Sequence, residues 1–138
     1  MKQILLIMIG LSVLSYADFT KSGHIVTDST TSLQWQDDAI GSTMDWQSAI
    51  NHCEALTLES YSDWRLPNIN ELKTIIDRTK VSPAIVDGFE NASSNDYWSS
   101  TTYEGNKNLA WDVDFYSGST NYSYKGNSYY VRCVRAGQ

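Results

Sequence analysis

Apolar residues follow three different rhythms along this chain, and each predicts a different element. From Ile4 to Leu14 they form an almost unbroken run behind a single positive residue, Lys2. Such a run is too short for a permanent membrane helix, and Ser15-Tyr16-Ala17 offers small residues where a signal peptidase reads. The expectation is a signal peptide over 1–17, cut after Ala17. The mature protein is then Asp18 to Gln138, one domain with no integral membrane segment, and no cysteine follows the run to carry a lipid.

Helical spacing comes next. Trp46, Ala49, Ile50, Cys53 and Leu56 fall on one stripe, with Thr43 or Asp45 available as the cap. A second stripe, Ile69, Leu72, Ile75 and Ile76, follows the sharp turn Trp64-Arg65-Leu66-Pro67. Asn68 is placed as its N-cap, and Glu71 three residues on completes a capping box, so Glu71 is read as a cap and not as a catalytic acid. Arg65 is expected to bond carbonyls or a carboxylate at that helix start.

The third rhythm has period two. His24–Thr27 and Ser32–Gln36 are short strands around an Asp-Ser-Thr-Thr turn. After an irregular stretch from Val81 to Asn95, Tyr97–Thr102, Leu109–Tyr116, Ser119–Tyr124 and Tyr129–Arg135 read as an antiparallel meander. Ser117-Gly118 and Lys125-Gly126-Asn127 supply its turns. Along Leu109–Tyr116 the apolar Leu109, Trp111, Val113 and Phe115 face one way, and Ala110, Asp112, Asp114 and Tyr116 the other. Two helices with an antiparallel sheet make the fold class α+β.

Composition adds a polarity to this plan. Seven of the nine tyrosines lie between Tyr97 and Tyr130, among Ser, Asn, Gly and Thr. That mixture suits a recognition surface, because tyrosine offers wide amphipathic contact at low entropy cost; it also suits plain half-buried strands. Charge is segregated the other way. Asp18 to Asp96 holds 13 acidic and 5 basic residues, and Tyr97 onward holds 3 and 4. An acidic body without a basic stripe is a poor partner for nucleic acid.

Cys53 and Cys133 are the only cysteines. In an exported protein they are expected to pair, stapling the first helix to the last strand; two buried free thiols are the alternative. The bond closes a loop of about 80 residues, for which chain entropy sets an upper figure of roughly 4.5 kcal/mol.

The segments HIVTDSTTSLQWQ, MDWQSAINHC, YSDWRLPNINEL, YWSSTTY, AWDVDF and YYVRCVR, in this order, resemble the Lcl C-terminal domain family over about His24 to Arg135. The resemblance implies a C-type-lectin-like fold, related to that of formylglycine-generating enzymes, with neighbouring termini and a disulfide from helix to last strand. It also implies extracellular binding, since family domains tip collagen-like bacterial adhesins and bind sulfated polysaccharides or host surfaces. Two departures matter: this chain has no collagen-like stalk, and its acidity disfavours polyanionic ligands.

Catalytic chemistry finds little support. His24 and His52 are the only imidazoles, neither belongs to a metal-ligand pattern, and both cysteines are assigned to a bond. The expectation is no enzyme, no cofactor and no metal. Calcium is the one inorganic alternative, because Asp112 and Asp114 place two carboxylates about 7 Å apart on one strand face. The proline-centred loop that would complete such a site is missing.

The tryptophans Trp35, Trp46, Trp64, Trp98 and Trp111 are all assigned to the core. The working surface is expected to be one face bearing Asp112, Asp114, Tyr116, Tyr122 and Tyr124, with loops 104–108 and 125–128. The function expected is a secreted bacterial binding or adhesion module, periplasmic or at the cell surface. Its ligand is a glycan or protein on a cell surface or matrix. The alternatives are a structural domain of an envelope assembly, or an enzyme of a class not legible here.

Overall fold

The computed structural model describes residues 18–137; the expected signal peptide lies outside them. Strands β1 (Phe19–Ser22), β2 (Ile25–Asp28) and β3 (Leu33–Gln36) lead to helices α1 (Trp46–Glu54) and α2 (Ile69–Lys73). Strands β4 (Asp96–Thr102), β5 (Leu109–Asp114), β6 (Ser119–Tyr124) and β7 (Val134–Ala136) follow. They form two antiparallel sheets, ordered β1-β2-β3-β7 and β4-β5-β6. The class is α+β with one disulfide, Cys53–Cys133.

One element departs from the expected meander. The final segment does not continue the tyrosine-rich sheet. After Tyr130 touches β4 through an isolated bridge to Tyr97, the chain crosses over, and Val134 pairs with Trp35 of β3. The first and last described segments thus share one sheet. β1, absent from the sequence reading, is short and only half-buried, which hides its alternation.

Local signals act as their chemistry requires. Asp45 caps α1 by accepting from the Ser48 N–H at 2.9 Å. Asn68 and Glu71 form a reciprocal capping box on α2, at 2.8 and 2.9 Å. Arg65 then grips the same Glu71 carboxylate through both terminal nitrogens, each at 2.7 Å. The guanidinium, then the cap N–H, hold Glu71 below the usual carboxylate range. Three of the carboxylate's roughly four acceptor positions are thus taken by the cap and the guanidinium, which is the environment of a structural group.

Two cores flank the β4-β5-β6 sheet. One collects Leu72 and Ile75, at and just beyond α2, with Tyr97, Val113 and Phe115. The other collects Ala49 and Cys53 of α1 with Trp64, Trp98, Ala110 and Cys133. Arg132, almost fully buried, reaches Asp37, the Gln36 carbonyl and the Asn91 carbonyl. Burial opposes ionisation of Asp37. The Glu90 N–H at 2.9 Å, the Lys21 ammonium at 2.8 Å and the Asn91 N–H at 3.0 Å outweigh it, and the pKa lies below the ordinary value. This knot ties β1 and the 90s loop to the approach of β7. Strand β6 lies beyond both cores and is paired with β5 alone, so most of its side chains stay exposed.

Candidate ligand-binding face

The register of the β5–β6 hairpin decides which residues stand together. Asp114 pairs with Ser119, Trp111 with Tyr122 and Leu109 with Tyr124. Directly opposed residues share a face. Tyr122 and Tyr124 therefore stand with Trp111, on the face opposite Asp112 and Asp114. The single surface expected to carry Asp112, Asp114, Tyr116, Tyr122 and Tyr124 does not exist. It is two faces and a turn.

Tyr116 belongs to the turn. It lies in the four-residue connection between Asp114 and Ser119, at the opposite end of the hairpin from Tyr124, and is exposed. Its N–H donates to Asp114 Oδ1 at 2.8 Å, so Asp114 serves as a turn former. The connection closes through Gly118, at φ +85, where a Cβ would come within 2.7 Å of Ile76.

The aromatic face is built from three rings. Tyr103, just past β4, stacks on Tyr122 with centroids 4.1 Å apart and planes 15° from parallel. Trp111 meets both edge-on, at 5.4 Å from each. Its indole N–H points to Glu104 at 3.4 Å. Tyr122 is 51% exposed and Tyr124 65%, while Trp111 is half-buried. This corrects the assignment of Trp111 to the core: Val113 on the same face is fully buried, whereas Trp111 packs at the margin of that core and stays half-open. Trp46 too is only half-buried, its N–H held by the Ser99 carbonyl and its ring under the Lys125 ammonium at 4.0 Å. Trp35, Trp64 and Trp98 are core residues, as the pattern predicts.

Sequence reasoning missed Tyr103 and the partnership of Trp111 with Tyr122. The second was within reach. A two-residue turn at Ser117-Gly118 pairs Tyr116 with Ser119, which already sets Tyr122 opposite an odd-numbered residue of β5. Tyr103 left no periodic signal, because it follows the last paired residue of β4.

On the carboxylate face Asp112 is buried where exposure was expected, and Asp114 is half-buried. Asp112 is wholly covered; its Oδ2 accepts from Ser123 Oγ at 2.8 Å, and its Oδ1 has no partner. Ser123 in turn accepts from the Tyr129 hydroxyl at 3.0 Å. Burial, first, and the neighbouring Asp96 and Asp114 carboxylates push Asp112 up to about 7, against the Ser123 hydrogen bond. Asp96 is raised as well, by burial and then by Asp114. The arrangement keeps Asp112 protonated at mildly acidic pH and offers no open carboxylate pair. Asp96 borders a polar depression of about 320 Å³ with Thr43, Asn95, Ser128 and two tyrosines.

Among the described residues, no three His, Cys, Asp or Glu side chains are placed to share a metal ion. His24 lies 3.0 Å from Glu59 at the surface, and no described helix is long and apolar enough to cross a membrane.

Residues 24–135 match the family model of the Lcl C-terminal domain, which takes in both sheets apart from the outer strand β1 and the end of β7. No curated protein matches the chain.

Proposed function

The chain belongs to the Lcl C-terminal domain family, and from that premise we propose that it is an exported binding module whose ligand is a glycan. The observation that carries this reading is the aromatic patch of Tyr103, Trp111 and Tyr122, flanked by the open ring of Tyr124. A sugar ring presents an apolar C–H face and a hydroxyl rim. Flat aromatic rings complement the first, and the Tyr122 and Tyr124 hydroxyls, with Thr120 on the same face and Glu104 beside Trp111, complement the second.

The charge balance narrows the class. Glu104 beside Trp111 and the acidic remainder of the chain favour neutral or cationic sugars over sulfated ones. Binding proceeds without a bound cation in this reading, because Asp112 is enclosed and Asp114 is spent on a turn. It proceeds without catalysis too, since the best-placed acid, Glu71, serves a helix cap and an arginine. The reading places the protein outside the cytoplasm, at the cell surface or in the periplasm, where the Cys53–Cys133 bond persists.

A glycan array probed with the purified protein, with and without calcium, tests this. Binding that is unchanged by chelator and weakened roughly 5- to 30-fold by Tyr122→Ala in a folded protein is expected. Binding that requires calcium, or that survives loss of both Tyr122 and Trp111, would overturn the site. A protein that binds no glycan but co-purifies in a fixed ratio with an envelope component would instead favour the structural role.

A further inference from the structure

A sheet with free edges is an open template for another strand, and natural sheets protect their edges with charge, proline, bulges, brevity or cover. Three of the four edges in this molecule are protected. β4 is covered, its Trp98 N–H bonded to the Tyr130 carbonyl and its Ser100 N–H to the Pro67 carbonyl, and its register shifts after Trp98. β7 has three residues and is covered by Arg65, which exchanges two backbone hydrogen bonds with Val134 at 2.9 and 2.8 Å. β1 has four residues and carries Lys21.

β6 has none of these. Its six residues, STNYSY, contain no charge and no proline, and they pair with β5 in continuous register without a bulge. Among the described residues, one group outside the hairpin bonds its outer row of N–H and C=O groups: the Asn127 N–H reaches the Tyr124 carbonyl at 2.9 Å, at the strand's end, and leaves the row at Thr120 and Tyr122 open. Period two leaves alternate residues of that row facing outward.

We propose that the outer edge of β6 is a docking edge for a second copy of this chain, joined antiparallel about a two-fold axis normal to the sheet. Charge selects this occupant over an arbitrary strand. Two copies of an acidic protein repel each other wherever their acidic bodies meet. The hairpin lies in the one stretch, from Tyr97 onward, whose charges nearly balance, and β6 itself carries none. Antiparallel pairing about a dyad sets only β6 residues against β6 residues, so the interface is self-complementary. A dyad normal to the sheet also keeps each aromatic patch on the same side as its copy. Tyr122 and Tyr124 of both chains then form one continuous six-stranded surface.

The edge is short. Six residues bury far less than the roughly 1,600 Å² of a standard stable interface, so the association is a reversible equilibrium, with Kd on the order of 100 µM. That weakness suits a surface protein whose local concentration is raised on a membrane or matrix, where two linked faces gain by avidity.

Sedimentation velocity from about 5 to 500 µM protein, with amide exchange at the two extremes, tests the proposal. A monomer–dimer equilibrium is expected, with β6 amides gaining protection at high concentration. Asn121→Lys, at an exposed position of the strand, should weaken dimerisation by at least about tenfold through facing like charges, with an unchanged melting temperature. Thr57→Lys, on the exposed segment after α1, should leave the equilibrium in place and so controls for net charge. A monomer at about 500 µM would overturn the proposal. So would a dimer indifferent to Asn121→Lys, or β6 amides protected only when a different protein is added. None of these outcomes bears on the glycan array, which can be read with dilute monomer.

Discussion

Replacing Asp112 by Asn removes one ionisable group from the sheet while keeping its size and its acceptor for Ser123. Asp112 is fully enclosed, and one of its oxygens has no partner. Its carboxyl is raised from 3.8 to about 7 by burial and by two like charges. A change of that size corresponds to about 4 kcal/mol between the protonated and ionised folded forms; relaxation and water penetration reduce what is measured to about 2–4. The sign follows from proton linkage. Between about pH 4 and 7 the unfolded chain has released this proton and the folded chain has kept it. The contribution of Asp112 to stability is therefore full below about pH 4 and falls as pH rises, and by about pH 8 it has been lost. Urea denaturation of both proteins at intervals across that window is the assay. Groups with the opposite dependence, Asp37 and Glu71, are common to both and cancel in the difference. The variant should gain on the parent steadily with pH, ending about 2–4 kcal/mol ahead relative to their difference at pH 4. An advantage that stays flat with pH, or a variant less stable at about pH 8, would refute the enclosure of a protonated Asp112. Glycan binding should survive the substitution, since Asp112 lies away from the aromatic face.

Three further outcomes follow from the same geometry. Tyr122→Ala should cost about 1–2 kcal/mol of ligand affinity and little melting temperature, and Trp111→Ala should cost both affinity and about 1–3 kcal/mol of stability, read by titration and by thermal unfolding. Glu71→Ala removes the capping box and both Arg65 contacts, so about 1–2 kcal/mol of stability should go while affinity is kept; affinity loss at unchanged melting would reassign Glu71. Cys133→Ala should destabilise by about 2–5 kcal/mol, and non-reduced peptide mapping of the exported protein should recover Cys53 linked to Cys133.

Much of the fold was legible because its signals are local. The capping box at Asn68 and Glu71 needs only a spacing of three, and the stripe of α1 needs only a turn of helix. The cysteine pairing needed a compartment and a count. β1 was not legible: its four residues neither alternate cleanly nor carry a turn motif, and they become a strand only because β2 is beside them. The destination of the last strand was not legible either. Tyr129–Arg135 has the composition to pair with β4 or β3, and the buried knot of Arg132 with Asp37 and Asn91 draws it to the second.

The sequence alone determined the classes of element, the helix caps, the disulfide and the concentration of tyrosine at one end. It also determined which residues of β5 share a face, because side chains alternate with period two whatever surrounds them. Which face is closed, and where closure stops, only the tertiary structure decided. Burial depends on what another segment lays across the sheet. Here α1 packs over Ala110, Ser123 and Tyr129 enclose Asp112, and the core that buries Val113 covers Trp111 only in part. Polarity predicts the opposite assignment, with aspartate outside and tryptophan inside. It is overridden because the enclosed carboxyl finds Ser123 and keeps its proton, and the half-open indole finds two tyrosines.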